Sequence, residues 1–428
     1  MRETVWLSSI VPKSRSKDWD AWLVVVYLWF AFFLAYVARQ SIFSIFPILR
    51  SELHFTEVQL GLTGTVFLWI YSLGNPIGGY LGDRLPKNKL VISSVILWSF
   101  CTLMVGTTGS VSGLLFWRGA LALAQAPYIP IAITLITQMH SEYSRSSAIS
   151  LHSTGQFVGI IFGGWYGGYL ADFLGWRWML WIVALAGILY APLLYWLIRE
   201  KGESQGSQAK PAARENISLM KVLLIPTYAG LCLAFFAACA MLWMLYTWLP
   251  DFLQAKFNLS LASAGLTATA YVQVSMIIGL FCGASIGDKL MKRDKRARLY
   301  VMIAGLSTCS PFLYLLAQGE LLGQLKLAAL GYGFFQGLFT ANLFASVVDI
   351  IPKESRGFGV GFCNMIGGIA GGLAALLVGL LKAHFTVERL FGFAAGLGLG
   401  ASVLLGITLW LFFLRDYRRA HPEAICGI

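Results

Sequence analysis

Runs of mostly apolar residues, each about 20 long or longer, recur from Trp22 to Leu414 with only short polar breaks between them. One such run is what a helix needs to cross the hydrocarbon layer of a bilayer. The pattern predicts twelve spans, at 22–46, 58–81, 90–108, 111–138, 147–171, 176–198, 222–250, 263–287, 297–317, 322–350, 357–381 and 389–414. The longest polar break, REKGESQGSQAKPAARENIS from Arg199 to Ser218, is rich in charge, Gly, Ser and Gln and cannot bury a core. It divides the chain into an N-terminal bundle of six spans (1–198), a linker (199–221) and a C-terminal bundle of six (222–428).

The polar breaks repeat between the halves. GGYLGDRLPKNK (Gly78 to Lys89), after span two, is echoed by GASIGDKLMKRDK after span eight, and EYSRSSA after span four by KESRGFG after span ten. The expected fold is therefore an all-α integral membrane protein of twelve helices in two pseudo-symmetric six-helix bundles.

Composition strengthens this picture. The chain has 428 residues, 57% hydrophobic and 12% charged, with a mean hydropathy of +0.70. A water-facing fold cannot carry that much apolar surface, so lipid is the expected solvent. A net charge of +12 by itself suggests nucleic acid. The 32 Lys and Arg, however, concentrate in the breaks on the side that holds both termini and the 199–221 connection. That asymmetry is a topology signal: it puts both termini in the cytoplasm and predicts no nucleic-acid partner. The charged segment before Trp22, with no small-residue cleavage site, argues against a cleaved signal peptide.

Six of the seven cysteines fall inside apolar runs without CxxC or His spacing, so neither a disulfide nor a metal framework is expected. No nucleophile elbow, HExxH or phosphate-cradling loop occurs either. An enzyme is not expected, and no cofactor or catalytic residue is implied.

An ionisable side chain at mid-span costs about 2.5–3.5 kcal/mol on insertion scales, so each one within a run is a functional candidate. Arg39 has Tyr36 one turn earlier on its helix face, Arg118 has Gln125 two turns later, and His152 pairs with Gln156 at i, i+4. Arginine presents a planar fork that matches a carboxylate or phosphate. Two such forks among tyrosines and amides therefore point to an anion, while Tyr71, Trp243 and Tyr246 supply faces for a ring. The bland alternative is that both arginines snorkel to the interface. At the cytoplasmic breaks, Asp83 and Arg84 with Glu142 and Arg145, and their repeats Asp288 and Arg356, are expected to form charge clusters that hold one conformation shut.

GGYLGDRLPKNK resembles the loop 2–3 motif of the major facilitator superfamily, with Pro86 where a glycine is usual. Tyr36, Arg39, Tyr71, Arg118, Gln125, Gln156 and Asn364, together with GWRWMLWI (Gly175 to Ile182), resemble more narrowly the anion:cation symporter branch, which includes sugar-acid permeases. The resemblance implies a monomeric secondary transporter of a small organic anion in the cytoplasmic membrane, with Arg39, Arg118, Tyr36, Tyr71, Gln156 and Asn364 binding the guest.

Two departures bear on coupling. The proton-coupled carriers of that branch have an aspartate before the first arginine and a glutamate at the later position, where this chain has Ala38 and Gln125. Neither residue titrates, so a coupled proton, a counter-anion or simple facilitation all stay open, with His152 and Asp349 as the remaining candidates. The opening YVARQSIFSIFPIL also resembles organophosphate:phosphate antiporters, but Leu242 stands where their second arginine belongs. Drug:proton antiporters need a proline where GIIFGG has Phe162.

Overall fold

A computed structural model of the chain describes residues 14–141, 144–202, 222–352 and 355–421. Helix α1 (Ser14–Gln40) runs through one 3₁₀ turn (Ser41–Ile45) into α2 (Phe46–Glu52), where Pro47 occupies the first turn and removes the donor that a straight helix would use. Thr56 then caps α3 (Glu57–Arg84) through a capping box with Gln59. Helix α4 is Lys87–Thr107, and Ser110 caps α5 (Val111–Gln125). The predicted fourth span breaks at Ala126–Pro127, after which α6 (Tyr128–Met139) completes it. Helices α7 (Arg145–Leu174) and α8 (Trp176–Gly202) meet at Gly175, whose φ of +92° no other residue adopts cheaply.

The second half comprises α9 (Pro226–Phe257), α10 (Leu261–Met291), α11 (Ala297–Gln318), α12 (Leu322–Ile350), α13 (Arg356–Leu381), α14 (Val387–Leu411) and the short α15 (Phe413–Ala420). Eleven spans among the described residues are long and apolar enough to cross a membrane. The twelfth is α3, which is 28 residues long but diluted by Thr63, Thr65, Ser72, Asn75 and its glycines. Helix α8 continues to Gly202, four residues into the expected linker, and residues 203–221 lie outside the described residues.

Packing repeats as the sequence does. In the first half α1 lies on α7, α4 on α8 and α3 on α5; in the second, α9 lies on α13, α11 on α14 and α10 on α12. The halves meet along two seams related in the same way, α3 with α13 and α7 with α10. Small residues let these seams close, as lipid-embedded helices require. A methyl at Gly372 would sit 2.5 Å from Trp69, and one at Gly164 would sit 2.7 Å from the Gly265 carbonyl oxygen. The fold is that of twelve membrane helices in two pseudo-symmetric bundles. Gly78 and Gly82 do bring α3 against a neighbour, Pro127 and Ile131 of the fourth span, whereas Gly79 meets nothing within 4 Å.

Candidate functional site

Between the halves lies a cavity of about 1340 Å³. Its deep end is walled by Tyr36 and Arg39 from α1, Tyr71 from α3, and Trp243 and Tyr246 from α9. From there it extends to Tyr80 near the end of α3 and to Gly357 and Phe358 at the start of α13, the side that carries both chain termini. Gln156 on α7 and Asn364 on α13 also line it.

Arg39 is the one charged residue on this wall among the described residues, and it is 3% exposed. Its guanidinium carbon lies 4.3 Å from the ring centroid of Tyr36 and 4.5 Å from those of Phe67 and Tyr71. Cation–π contacts of this kind contribute about 0.5–2 kcal/mol each, and they hold the charge without neutralising it. Nη2 donates to Gln125 Oε1 at 3.2 Å, while Gln125 Nε2 donates to the Ala35 carbonyl at 3.3 Å. Arg39 Nε is buried with no hydrogen-bond partner. Such a donor is costly unless something outside the protein accepts from it.

Arg118, Gln125 and His152 do not reach the cavity wall. Arg118 is 1% exposed, donates through Nε to the Thr63 carbonyl at 3.3 Å, and rests 4.9 Å from the centroid of the same Phe67 ring that Arg39 touches. Its Nη2 also lacks a partner. Neither arginine snorkels to the interface: both lie inside the first bundle. The His152/Gln156 pair separates, because the His152 ring stacks on Phe32 at 4.7 Å with a ring nitrogen 3.4 Å from the Tyr128 hydroxyl, while Gln156 faces the cavity.

The opposite wall is neutral. Trp243 and Tyr246 form an edge-to-face corner, with centroids 5.5 Å apart, and the Tyr246 hydroxyl accepts from Gln273 Nε2 at 2.6 Å. Sequence reasoning missed Phe67, Asn75 and Gln336 at this site. Phe67 stands one turn before Tyr71 but otherwise reads as core, and the two amides lie in glycine-rich runs that read as packing surface.

The two ends of the molecule differ. At the end away from the termini, Arg50 on α2, Glu57 on α3, Asp251 on α9 and Lys382 just after α13 close a ring of charge. Arg50 Nε donates to Glu57 Oε1 at 2.7 Å, and Arg50 Nη2 to Asp251 Oδ2 at 3.1 Å. Lys382 Nζ donates to Glu57 Oε2 at 2.9 Å and to Asp251 Oδ2 at 3.0 Å. Lys382 also lies 4.8 Å from the Trp248 ring centroid. None of the four was singled out from the sequence. The available signal was an acid beside Pro250, one residue past the end of the predicted span 222–250.

At the termini end, Glu142 and the side chain of Asp83 lie outside the described residues. Arg84 is exposed and stacks on Tyr80 at 4.2 Å. Asp288 does not pair with Arg356. It accepts from Arg298 at 2.8 Å, and Arg298 also reaches Asp349 at 2.7 Å, so this cluster lies wholly within the second bundle. The repeated motif suggested a partner in the later break, but Arg298, at the start of the next helix, is nearer. Among the described residues no group of three or more His, Cys, Asp or Glu side chains is arranged to hold a metal ion.

A sequence model described as Major Facilitator Superfamily matches residues 28–330 and 294–425. The D-galactonate transporter of Escherichia coli is 24% identical over 427 residues, covering 93% of this chain and 96% of its own length. A probable galactarate/D-glucarate transporter of Bacillus subtilis is 24% identical over 444 residues, covering 96% and 95%. Among solved structures, a bacterial homolog of the human lysosomal transporter Spinster, inward-facing and unoccupied, superposes with a TM-score of 0.77 at 20% identity, covering 94% of this chain and 98% of that one.

Proposed function

The chain belongs to the Major Facilitator Superfamily, and we propose from that premise that it carries a small organic anion, a sugar acid or related carboxylate, across the cytoplasmic membrane by alternating access. The observation that carries this reading is Arg39: one boxed guanidinium, with an unsatisfied Nε–H, on the wall of the large cavity between the two bundles. A carboxylate accepting from it would supply the missing acceptor and offset a buried charge that no described acid neutralises. The names of the galactonate and galactarate/glucarate relatives support the same class of guest.

In this reading the bundles 1–198 and 222–428 rock about the cavity as two bodies. Tyr36, Tyr71, Gln156, Asn364, Trp243 and Tyr246 contact the guest's hydroxyls and ring. Arg118 and Gln125 act from behind the wall, Arg118 by adding positive potential and Gln125 by aiming the Arg39 fork. The excess of Lys and Arg on the termini side makes that side cytoplasmic, so the ring of Arg50, Glu57, Asp251 and Lys382 is the external gate and the clusters at Asp83, Arg84, Glu142, Arg145, Asp288 and Arg356 belong to the internal one.

Among the described residues no Asp, Glu or His lines the cavity beside Arg39, and Ala38 and Gln125 stand where proton-coupled relatives carry acids, which favours a facilitator or exchanger over a proton symporter. The test is uptake of labelled D-galactonate by proteoliposomes. Arg39→Leu is expected to lower it at least 100-fold while the protein keeps its elution profile in detergent. Undiminished uptake by that variant refutes the site. Accumulation driven strongly by an imposed pH gradient refutes the coupling.

A further inference from the structure

Resting on the organic-anion reading, we propose that the guest is a monocarboxylate whose far end is neutral, and that dicarboxylates of the same skeleton are rejected. The argument is a census of charge along the wall. Arg39 is the only cation that lines the cavity among the described residues, and no acid or histidine joins it. Its partners are rings and one amide, so it has donors to spare for one carboxylate and none for a second at a distance.

The second cation does not change this count. Arg118 lies behind Phe67 at the same end of the cavity as Arg39. It deepens the positive potential where the first carboxylate sits and offers nothing to a group several bonds away. A six-carbon chain anchored at Arg39 places its other end against α9, α12 and α13. There the wall is the Trp243–Tyr246 corner with Phe235 and Met365.

The amides on that side are weak substitutes for a cation. Gln336 is largely committed: Nε2 donates to the Ala238 carbonyl at 3.3 Å and Oε1 accepts from Cys309 Sγ at 3.6 Å, which leaves one N–H donor. Asn364 remains, with two N–H donors on one side chain. Hydroxyl groups or a ring face are well served by one amide and two aromatic edges. An ionised carboxylate is not, since once the cavity closes it has lost water and gained no counter-charge.

The experiment uses the full chain in detergent at pH 7.5, where every probe carboxyl is ionised. Thermal shift and calorimetric titration compare three pairs that share a carbon skeleton: D-galactonate with galactarate, hexanoate with adipate, and 4-ethylphenylacetate with 1,4-phenylenediacetate. The expected result is saturable binding of the monoanion in at least one pair, with its dianion at least tenfold weaker. A dianion that binds as tightly as its partner, or more tightly, overturns the proposal.

Asn364→Arg adds a cation to the far wall. In a variant that elutes as the parent does, it is expected to bring the dianion to within threefold of the monoanion; an unchanged preference counts against rejection by that wall. If no anion of any pair binds, and Arg39→Leu behaves as the parent toward all six, the organic-anion reading itself fails and this proposal falls with it. A preference for dianions removes only the proposal and leaves that reading intact.

Discussion

The helix pair α3 and α13 runs the full depth of the molecule, and its two ends are built differently. At the end away from the termini, the seam is tight. A methyl at Gly64 would meet the Ala375 side chain at 3.2 Å, Thr65 Oγ1 donates to the Gly372 carbonyl at 2.8 Å, and Glu57 at the head of α3 accepts from Lys382 just beyond α13. At the termini end, Gly79, Gly357 and Gly361 face the cavity with nothing within 4 Å of where a methyl would stand. The same small residue thus does opposite things along one seam. Away from the termini it is filled, at the termini end it is vacant, and the difference identifies which end of the pair is closed.

Substitutions can break this contrast in order of severity. Gly265→Leu should have the largest effect, because α7 and α10 approach there through Gly164, and a side chain forces the backbones apart. Loss of several kcal/mol is expected, read as failure to elute as a single species and a collapsed thermal transition. Normal stability in that variant would mean the seam is looser than the close Gly164–Gly265 approach implies.

Asp251→Asn comes next, since its carboxylate serves both Arg50 and Lys382. Breaking a buried pair costs about 3–5 kcal/mol. Arg50 is 35% exposed at its side chain, so solvent screens part of that, and a shift of about 1–2 kcal/mol toward the externally open state is more realistic. A cysteine placed beside the ring should then react roughly tenfold faster with an impermeant thiol reagent. Unchanged reactivity would show that the ring does not bias the equilibrium.

A smaller effect sharpens the comparison further. The Glu57–Lys382 pair spans the two halves at 2.9 Å, and a double-mutant cycle through Glu57→Gln and Lys382→Met should return a coupling of about 0.5–1.5 kcal/mol in thermal or chemical unfolding. Zero coupling would reduce the pair to a surface contact. Least of all in stability, Gly361→Leu at the vacant end should change unfolding by under about 0.5 kcal/mol. It should nonetheless slow uptake at least tenfold, because the space it fills is needed when that end closes. Normal uptake by Gly361→Leu would show that the vacancy has no part in the cycle.

Most of the architecture was legible in the sequence, since lipid leaves the backbone only the helix or the closed barrel, and apolar runs of about 20 residues fit only the helix. What the runs hid was local: the breaks at Ser41–Ile45 and Pro127, and the low hydropathy of α3, whose Ser72 and Asn75 face the cavity and whose Thr65 faces the seam. At the site, Tyr36 and Arg39 fall on the wall together because helical spacing fixes the face they share, while Tyr71, Gln156 and Asn364, on three other helices, were marked by the resemblance and line the wall too. Arg118 falls behind it because spacing says nothing about how a bent fourth span turns its face, and Phe67 intervenes; His152, on α7, turns instead against Phe32. The charge ring escaped notice for a different reason. Its members come from four separate segments, Glu57 and Lys382 standing 325 positions apart, and no periodicity links them.

The membership of that ring bears on how costly parting would be. Arg50 and Glu57 belong to the first bundle, Asp251 and Lys382 to the second, so each bundle contributes one cation and one carboxylate. Were the bundles to separate, Arg50 would keep Glu57 and Lys382 would keep Asp251, and no bare charge would be stranded on either lip. A clasp made of two self-neutral halves gives up only its crossed bonds, which favours quick opening and quick resealing over a deep trap.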